Sequence, residues 1–176
     1  MRTGKRDYRI ARRPLLQGFL CTAVALPLGA CFGEDDTGPV KIRYDRQACD
    51  FCRMIISDPR FASEIRGGPK NKVFFFDDIG DAVHFLNRQD WKDDPKIEFW
   101  VMDMDDGKTW LDARKAAFLA GQVTPMDYGY GAFGSPRDGT VSFADMQAAV
   151  LKNGPSSLCL PEGQTSEQAS PPAPKG

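Results

Sequence analysis

Two segments of the chain share the pattern Phe-x-Asp-apolar-x-x-Ala-Val: Phe76-Asp77-Asp78-Ile79-Gly80-Asp81-Ala82-Val83 and Phe143-Ala144-Asp145-Met146-Gln147-Ala148-Ala149-Val150. Each has the composition of a strand end, an acidic capping residue and the start of a helix. The repetition predicts two related α+β units in which strands are followed by a helix. Coincidence explains the pattern nearly as well, because these residue types are common at helix starts.

The segments around this pattern have the apolar spacing of further strands and helices. Lys72–Phe76 is expected to be a buried strand, and Ile79–Asn87 has apolar residues at helical spacing after a capping acid. Lys115–Leu119 fits a helix or a strand equally well. The other predicted strands are Val40–Tyr44, Met54–Ile56, Phe61–Ile65, Ile97–Met102 and Gly129–Phe133, and the last predicted helix is Phe143–Leu151.

The stretch Cys49-Asp50-Phe51-Cys52-Arg53-Met54 places three sulfur side chains within six residues. Cys-x-x-Cys spacing suits zinc, a redox disulfide or a soft ion such as Cu(I). If the segment is extended, Cys52 and Met54 share one face, which favours a soft metal. Zinc would need a fourth ligand that the chain scarcely offers. A thioredoxin-like activity expects the pair at the amino end of a helix, whereas residues typical of a strand and a turn follow it here.

Other candidate residues have structural explanations that compete with a functional one. Met126 lies in a loop rich in Pro and Gly, where a metal ligand and a packed core residue are equally plausible. His84, inside a predicted helix, is expected to be a helix-surface or core residue, and Cys159 is expected to be a mobile thiol without a role in the site. The acidic residues Asp77, Asp78 and Asp81 lack the spacing of a calcium loop, so capping and solvation explain them better.

The amino terminus has the features of a bacterial lipoprotein signal. A basic region is followed by the apolar stretch Leu15–Leu28 and by Leu28-Gly29-Ala30-Cys31, which resembles a lipobox. This resemblance implies cleavage before Cys31, a diacylglycerol on its sulfur and anchoring without a membrane span. An ordinary signal peptide with an incidental cysteine is the alternative. The predicted organisation is a signal peptide at 1–30, a tether at 31–39, a folded domain at 40–155 and a disordered tail at 156–176.

The charge of the chain restricts its partners. The formal net charge is −1, and residues 1–30 carry six basic residues and one acid, so the remainder has a charge of −6. An acidic exported protein is not expected to bind nucleic acid, which requires a basic surface. The sequence also lacks a nucleophile elbow, a Walker loop and a dinucleotide fingerprint. We therefore expect no enzymatic activity, unless the Cys49/Cys52 pair acts as a thiol–disulfide oxidoreductase.

Taken together, the motifs resemble the NosL family, the copper-binding accessory lipoproteins of nitrous oxide reductase biogenesis. A lipobox precedes Cys-x-x-Cys-x-Met-x-Ile at Cys49–Ile56, and Phe-Asp-Asp-Ile-Gly opens a helix at Phe76–Gly80. The motifs downstream are Trp110-Leu111-Asp112-Ala113 with Ala117-Phe118, and Thr124-Pro125-Met126 followed by Gly131-Ala132-Phe133. The resemblance extends from Cys49 to Val150, and the order of the motifs is more specific than any one of them.

The resemblance implies an α+β fold of two similar small ββαβ-type lobes packed together. It also implies a membrane-anchored lipoprotein that faces the periplasm and acts as a Cu(I) metallochaperone, without catalytic turnover. Its implied partners are apo nitrous oxide reductase and the ABC-type assembly complex of that enzyme, with the membrane contacted through the lipid anchor.

Residue by residue, the resemblance assigns the copper ligands to Cys52, Met54 and Met126, with Cys49 as an additional or exchanging thiolate. Two or three soft ligands satisfy Cu(I), and thioethers remain unprotonated at every pH. The sequence departs from the family pattern at two positions. Arg53 stands where the family has Gly between Cys and Met, and Met126-Asp127-Tyr128-Gly129 replaces the family's Met-Gly-x-Gly.

Overall fold

A computed structural model of the chain describes residues 37–159. The predicted signal peptide, Cys31, most of the tether and residues 160–176 of the predicted tail lie outside the described residues. Among residues 37–159, no helix has both the length and the apolar character needed to cross a membrane.

The described residues form an α+β fold with two antiparallel sheets and two helices, which confirms the predicted class. The first sheet has the strand order β2-β1-β3-β4 and the second has the order β6-β5-β7. The strands are β1 Ser63–Gly67, β2 Lys72–Phe76, β3 Glu98–Met102, β4 Trp110–Asp112, β5 Ala117–Ala120, β6 Tyr130–Phe133 and β7 Thr140–Val141. The helices are α1 Ile79–Asn87 and α2 Phe143–Asn153, and 3₁₀ turns occupy Pro59–Phe61 and Ser157–Cys159.

The two predicted α+β units both contain strands and one helix, but the order of these elements differs between them. The first has the predicted order, β1-β2-α1-β3, whereas the second runs β5-β6-β7-α2 and no strand follows α2 within the described residues. Phe76 ends β2 and Asp78 caps α1, accepting a hydrogen bond from the Gly80 N–H. In the second unit Phe143 already belongs to α2, and the cap is Ser142. The shared sequence pattern therefore falls on different structural positions, which favours coincidence.

Two predicted strands near the amino end are absent, one because of a side-chain hydrogen bond and the other because of a turn. The Val40 N–H donates to the Glu64 Oε2 at 2.9 Å, so a side-chain carboxylate replaces a strand partner. Met54–Ile56 contributes a single bridge, between Ile55 and Ala48. Arg53, with a φ of 70°, turns the chain immediately before this segment. The undecided segment at 115–119 contains most of β5.

Helix α1 lies in the centre of the core and is buried along almost its whole length. Its apolar residues, among them Val83 and Leu86, pack into the same cluster as Phe76, Phe99 and Phe118. The helix also buries the polar side chains of Asp81 and His84, and its N-cap Asp78 is buried as well. Buried polar groups require hydrogen-bond partners, and the partners of Asp81 define the site described next.

Candidate metal centre

The Cys49–Met54 segment forms a tight turn closed by backbone hydrogen bonds. The Cys49 N–H donates to the Met54 carbonyl at 2.8 Å, and the Arg53 N–H donates to the Cys49 carbonyl at 3.2 Å. Since Arg53 has a left-handed backbone, the chain reverses there and brings Cys52 over Cys49. The turn therefore places the two thiols on the same side, facing α1.

Backbone N–H groups of this turn point at both sulfur atoms. The Phe51 N–H donates to the Cys49 Sγ at 3.4 Å. The pKa of each thiol is raised overall, but the backbone N–H groups of Asp77 and Cys52 oppose the rise at Cys49, and that of Met54 opposes the rise at Cys52. Hydrogen bonds from N–H groups stabilise negative charge on sulfur, so the turn supplies partners for the thiolates once a cation has displaced the protons.

Asp81 connects two thiols from opposite ends of the described chain. Its Oδ2 accepts a hydrogen bond from the Cys49 thiol at 3.2 Å, and its Oδ1 accepts one from the Cys159 thiol at 3.1 Å. The sulfur atoms of Cys49 and Cys52 and a carboxylate oxygen of Asp81 all lie within 4.8 Å of one another. This spacing suits ligands that converge on one metal ion.

The environment keeps both thiols of the Cys-x-x-Cys turn protonated in the absence of a metal. A hydrogen bond with Cys52, burial and the nearby charge of Asp81 raise the pKa of Cys49. A hydrogen bond with Cys159, followed by burial, raises the pKa of Cys52. A cation that binds here must therefore displace thiol protons, and its charge then stabilises the thiolates.

Cys159 reaches the site because the carboxyl-terminal segment is held against Tyr128. The Tyr128 ring packs directly on Gly80, where an added Cβ would lie 2.0 Å from the ring. The Ser156 N–H donates to the Tyr128 hydroxyl at 3.0 Å, and the Cys159 N–H donates to the Ser156 carbonyl at 3.0 Å. The structure therefore places the Cys159 thiol against Asp81, a contact that the sequence did not predict, and the expectation that this thiol has no role in the site stays a prediction. The glycine at the start of α1 was the sequence signal for a close neighbour on that helix.

Met54 and Met126, the two predicted thioether ligands, lie in different environments. The Met54 side chain is 48% exposed, because the reversal at Arg53 turns it away from Cys52 and the expected shared face is lost. Met126 is fully buried, and its N–H donates to the Asp78 Oδ2 at 3.2 Å, which attaches its loop to the first turn of α1. The structure thus brings Cys49 and Cys52 together, and the assignment of the thioethers stays a prediction.

His84 lies one turn after Asp81 and is a core residue, one of the two placements expected. Its ring lies between Phe51 and Tyr128, with centroid distances of 6.2 and 5.6 Å. Burial is the main cause that lowers the pKa of His84. The neutral imidazole fits this aromatic environment, since desolvation disfavours its charged form.

Both positions at which the sequence departs from the family pattern have left-handed backbones. Arg53 has a φ of 70° and Asp127 has a φ of 57°. Gly adopts this region without steric cost, whereas other residues are held there at a cost of about 1–2 kcal/mol. The two turns therefore keep the conformation that a glycine would adopt.

Comparison with known proteins bears directly on the family. The NosL family model matches residues 39–151, about two thirds of the chain. The chain belongs to the NosL family. One solved structure that the chain matches is that of the copper chaperone NosL from Shewanella denitrificans, with 22% sequence identity and a TM-score of 0.47. The alignment covers 65% of this chain and 87% of that one. The comparison with curated proteins gave no match.

Membership of the NosL family confirms the resemblance stated from the motifs. The matched range contains Cys49, Cys52 and Asp81 but ends at 151, before Cys159. The Cys159 thiol, which donates to Asp81, therefore lies outside the family match.

Proposed function

We propose that this protein is a copper chaperone that carries Cu(I) on the thiolates of Cys49 and Cys52. The observation that carries the proposal is the convergence of these two sulfur atoms with a carboxylate oxygen of Asp81, all within 4.8 Å. Thiolates are among the ligands that Cu(I) prefers, and membership of the NosL family supports copper as the cargo. Met54 and Met126 remain the predicted thioether ligands.

The accessibility of the site fits a carrier that must also release its ion. Cys49 is fully buried, Cys52 is half-buried, and Met54 lies exposed at the rim of the same turn. An incoming partner can reach Cys52 without opening the core around Cys49. Ligand exchange from a site of low coordination number then transfers Cu(I) with no change of oxidation state.

We also propose that the chain is exported, anchored through a lipid on Cys31, and faces the periplasm. The lipobox supports the anchor, and the family resemblance supports delivery of copper to apo nitrous oxide reductase and its ABC-type assembly complex. Cell fractionation tests the lipid anchor. If wild type and Cys31→Ala both appear in the soluble fraction, the proposed anchoring through Cys31 is contradicted.

The alternative function is thiol–disulfide exchange by Cys49 and Cys52, whose sulfur atoms are close enough to favour it. The raised pKa of both thiols argues against it, because the thiolate is the nucleophile in exchange. The pair also lies in a turn rather than at the start of a helix. Neither feature suits a redox catalyst.

An anaerobic Cu(I) titration against a chromophoric chelator tests the proposal. We expect the full chain in detergent to bind one Cu(I) tightly, and Cys52→Ser to lose most of that affinity because a thiolate ligand is removed. Met104→Leu is the matched control, because it removes a thioether outside the Cys49, Cys52 and Asp81 group. It should leave the Cu(I) affinity unchanged. Equal Cu(I) affinity in wild type and Cys52→Ser would contradict the proposal.

A further inference from the structure

We propose that Cys159 supplies a third thiolate to the metal site, so that Cys49, Cys52 and Cys159 together hold one Cu(I) ion. The proposal rests on the proposed function and deepens it, because it assigns the third coordination position to a thiol of the carboxyl-terminal segment rather than to a thioether. Cys159 lies outside the range that matches the family, so family membership does not imply this ligand.

The first argument is the arrangement of the three thiols around one carboxylate. Asp81 accepts the Cys49 thiol on one oxygen at 3.2 Å and the Cys159 thiol on the other at 3.1 Å. The Cys52 sulfur lies within 4.8 Å of the Cys49 sulfur and of a carboxylate oxygen of Asp81. A single buried side chain thus orients the Cys49 and Cys159 thiols, and the Cys52 thiol lies beside the Cys49 thiol.

The second argument is that specific contacts hold the segment that carries Cys159. The Tyr128 ring is fixed over Gly80, and its hydroxyl accepts the Ser156 N–H at 3.0 Å. One 3₁₀ turn, Ser157–Cys159, then directs the thiol back towards α1. Cys159 reaches Asp81 through this anchored turn, as expected for a preorganised ligand.

The chemistry of loading balances without a redox step. Cu(I) forms three Cu–S bonds, three S–H bonds break, and three protons leave to solvent, while copper and sulfur keep their oxidation states. Asp81, which accepts two of these S–H groups in the metal-free protein, is the nearest acceptor for a departing proton. Asp81 acts in this loading step as a positioning residue, since it orients the Cys49 and Cys159 thiols in the metal-free protein.

A ligand on this segment also provides a route for release. Cys159 is attached to the fold by one turn and by the Ser156–Tyr128 hydrogen bond, whereas Cys49 is embedded in the core. The segment can therefore detach at a small cost compared with opening the core. A partner thiol that replaces Cys159 would leave the ion on Cys49 and Cys52 until transfer is complete.

The test compares the full chain with Cys159→Ser and with Ser157→Ala, a matched control in the same 3₁₀ turn. Anaerobic competition with a chelator measures the Cu(I) affinity, and X-ray absorption at the copper edge counts the bound sulfur atoms. We expect Cys159→Ser to weaken Cu(I) binding by about 10–100-fold, of the order found when the surroundings of a metal site are disrupted, and to lower the sulfur count from three to two. Ser157→Ala should change neither.

Alkylation by iodoacetamide with mass spectrometry gives a second readout. Cu(I) should protect Cys159 and Cys52 from alkylation together, so that both thiols become unreactive at the same ratio of metal to protein. An unchanged affinity and sulfur count in Cys159→Ser overturns the inference, as does protection of Cys52 alone. If Cys52→Ser still loses Cu(I) binding in that case, the proposed function stands. If wild type itself fails to bind Cu(I), both are overturned.

Discussion

At the scale of single residues, Arg53 shows how a turn sets the direction of the side chains around it. Its φ of 70° reverses the chain between Cys52 and Met54, and the two side chains then face the core and the solvent respectively. The alternation of an extended strand would have placed both on one face. The backbone of one residue therefore separates a thiol from a thioether that are two positions apart.

Substitution at Arg53 should reveal the cost of this left-handed backbone. We expect Arg53→Val to lower the free energy of unfolding by about 1–2 kcal/mol, because a β-branched residue is poorly accommodated there. Arg53→Gly should be neutral or stabilising by up to about 1 kcal/mol, since relief of strain outweighs the added freedom of the unfolded chain. Urea denaturation of the metal-free protein measures both.

Arg46→Val is the matched control, because Arg46 is an exposed arginine of the same region that is not among the residues with a positive φ. It should change the free energy of unfolding by less than about 0.5 kcal/mol. Equal destabilisation by Val at Arg46 and Arg53 would show that backbone strain is not the cause. The Arg53–Asp50 ion pair, at 4.0 Å and on the surface, contributes little.

At the scale of elements, helix α1 contacts the loop that contains Met126 and Tyr128, and this contact positions the segment from Ser156 to Cys159. The helix can approach the ring only because Gly80 has no Cβ. The helix also binds the loop through Asp78, which accepts the Met126 N–H. Helix α1 thus orders two segments that are distant from it in sequence.

Gly80→Ala should destabilise the protein, although alanine favours a helix more than glycine does. The added Cβ would lie 2.0 Å from the Tyr128 ring, and the overpacking should cost about 1–3 kcal/mol. In a Tyr128→Ala background the same substitution should instead stabilise by about 1 kcal/mol, because the helix propensity then dominates. Chemical denaturation of the four proteins gives this double-mutant cycle.

The sign change between the two backgrounds is the decisive outcome of that cycle. Destabilisation by Gly80→Ala that persists without the Tyr128 ring would contradict the steric explanation. Displacement of the ring should also free the Ser156 N–H, so Cys159 in Gly80→Ala should be alkylated faster than in wild type.

At the scale of the whole molecule, carboxyl groups buried in the fold make stability depend on pH. Burial raises the pKa of Glu64 to about 7, and burial likewise raises the pKa of Asp77 and of Asp78 to about 6. The folded state therefore binds these protons more tightly than the unfolded chain does. Their stabilising contribution is complete below the ordinary pKa and is lost as the pH rises through the raised value.

We expect Glu64 alone to reduce the free energy of unfolding by about 3 kcal/mol as the pH rises from 4.5 to above 7, given a pKa raised from 4.5 to about 7. His84 acts in the opposite direction: its pKa is lowered, so its contribution is lost as the pH falls through its lowered value. The difference in stability between wild type and Glu64→Gln, measured from pH 4.5 to 8, isolates the Glu64 contribution.

Gln147→Ala is the control for this series, because it removes no titrating group and its effect should be independent of pH. A difference between wild type and Glu64→Gln that stays constant across the range would contradict the prediction. The Gln side chain retains an oxygen that can accept the Val40 N–H, so loss of that hydrogen bond should not dominate the comparison.

The sequence by itself determined the elements whose information is local. The apolar run of β2 and the capping acid and helical spacing of α1 predicted both elements with the observed bounds, because neighbouring residues alone specify strand and helix periods. The motif order led to the NosL family, and the spacing of Cys49 and Cys52 indicated a site for a soft metal.

Only the tertiary structure decided which side chains meet. Asp81 was expected to be a solvated helix residue and Cys159 a tail thiol, yet a carboxylate on α1 binds the thiols of Cys49 and Cys159. Residues 32 and 78 positions apart in sequence have no common local pattern, and the Tyr128 ring, packed against Gly80, holds the segment that brings Cys159 to Asp81. Packing between distant parts of the chain sets where Asp81 and Cys159 lie, so a short stretch of sequence cannot predict their contact.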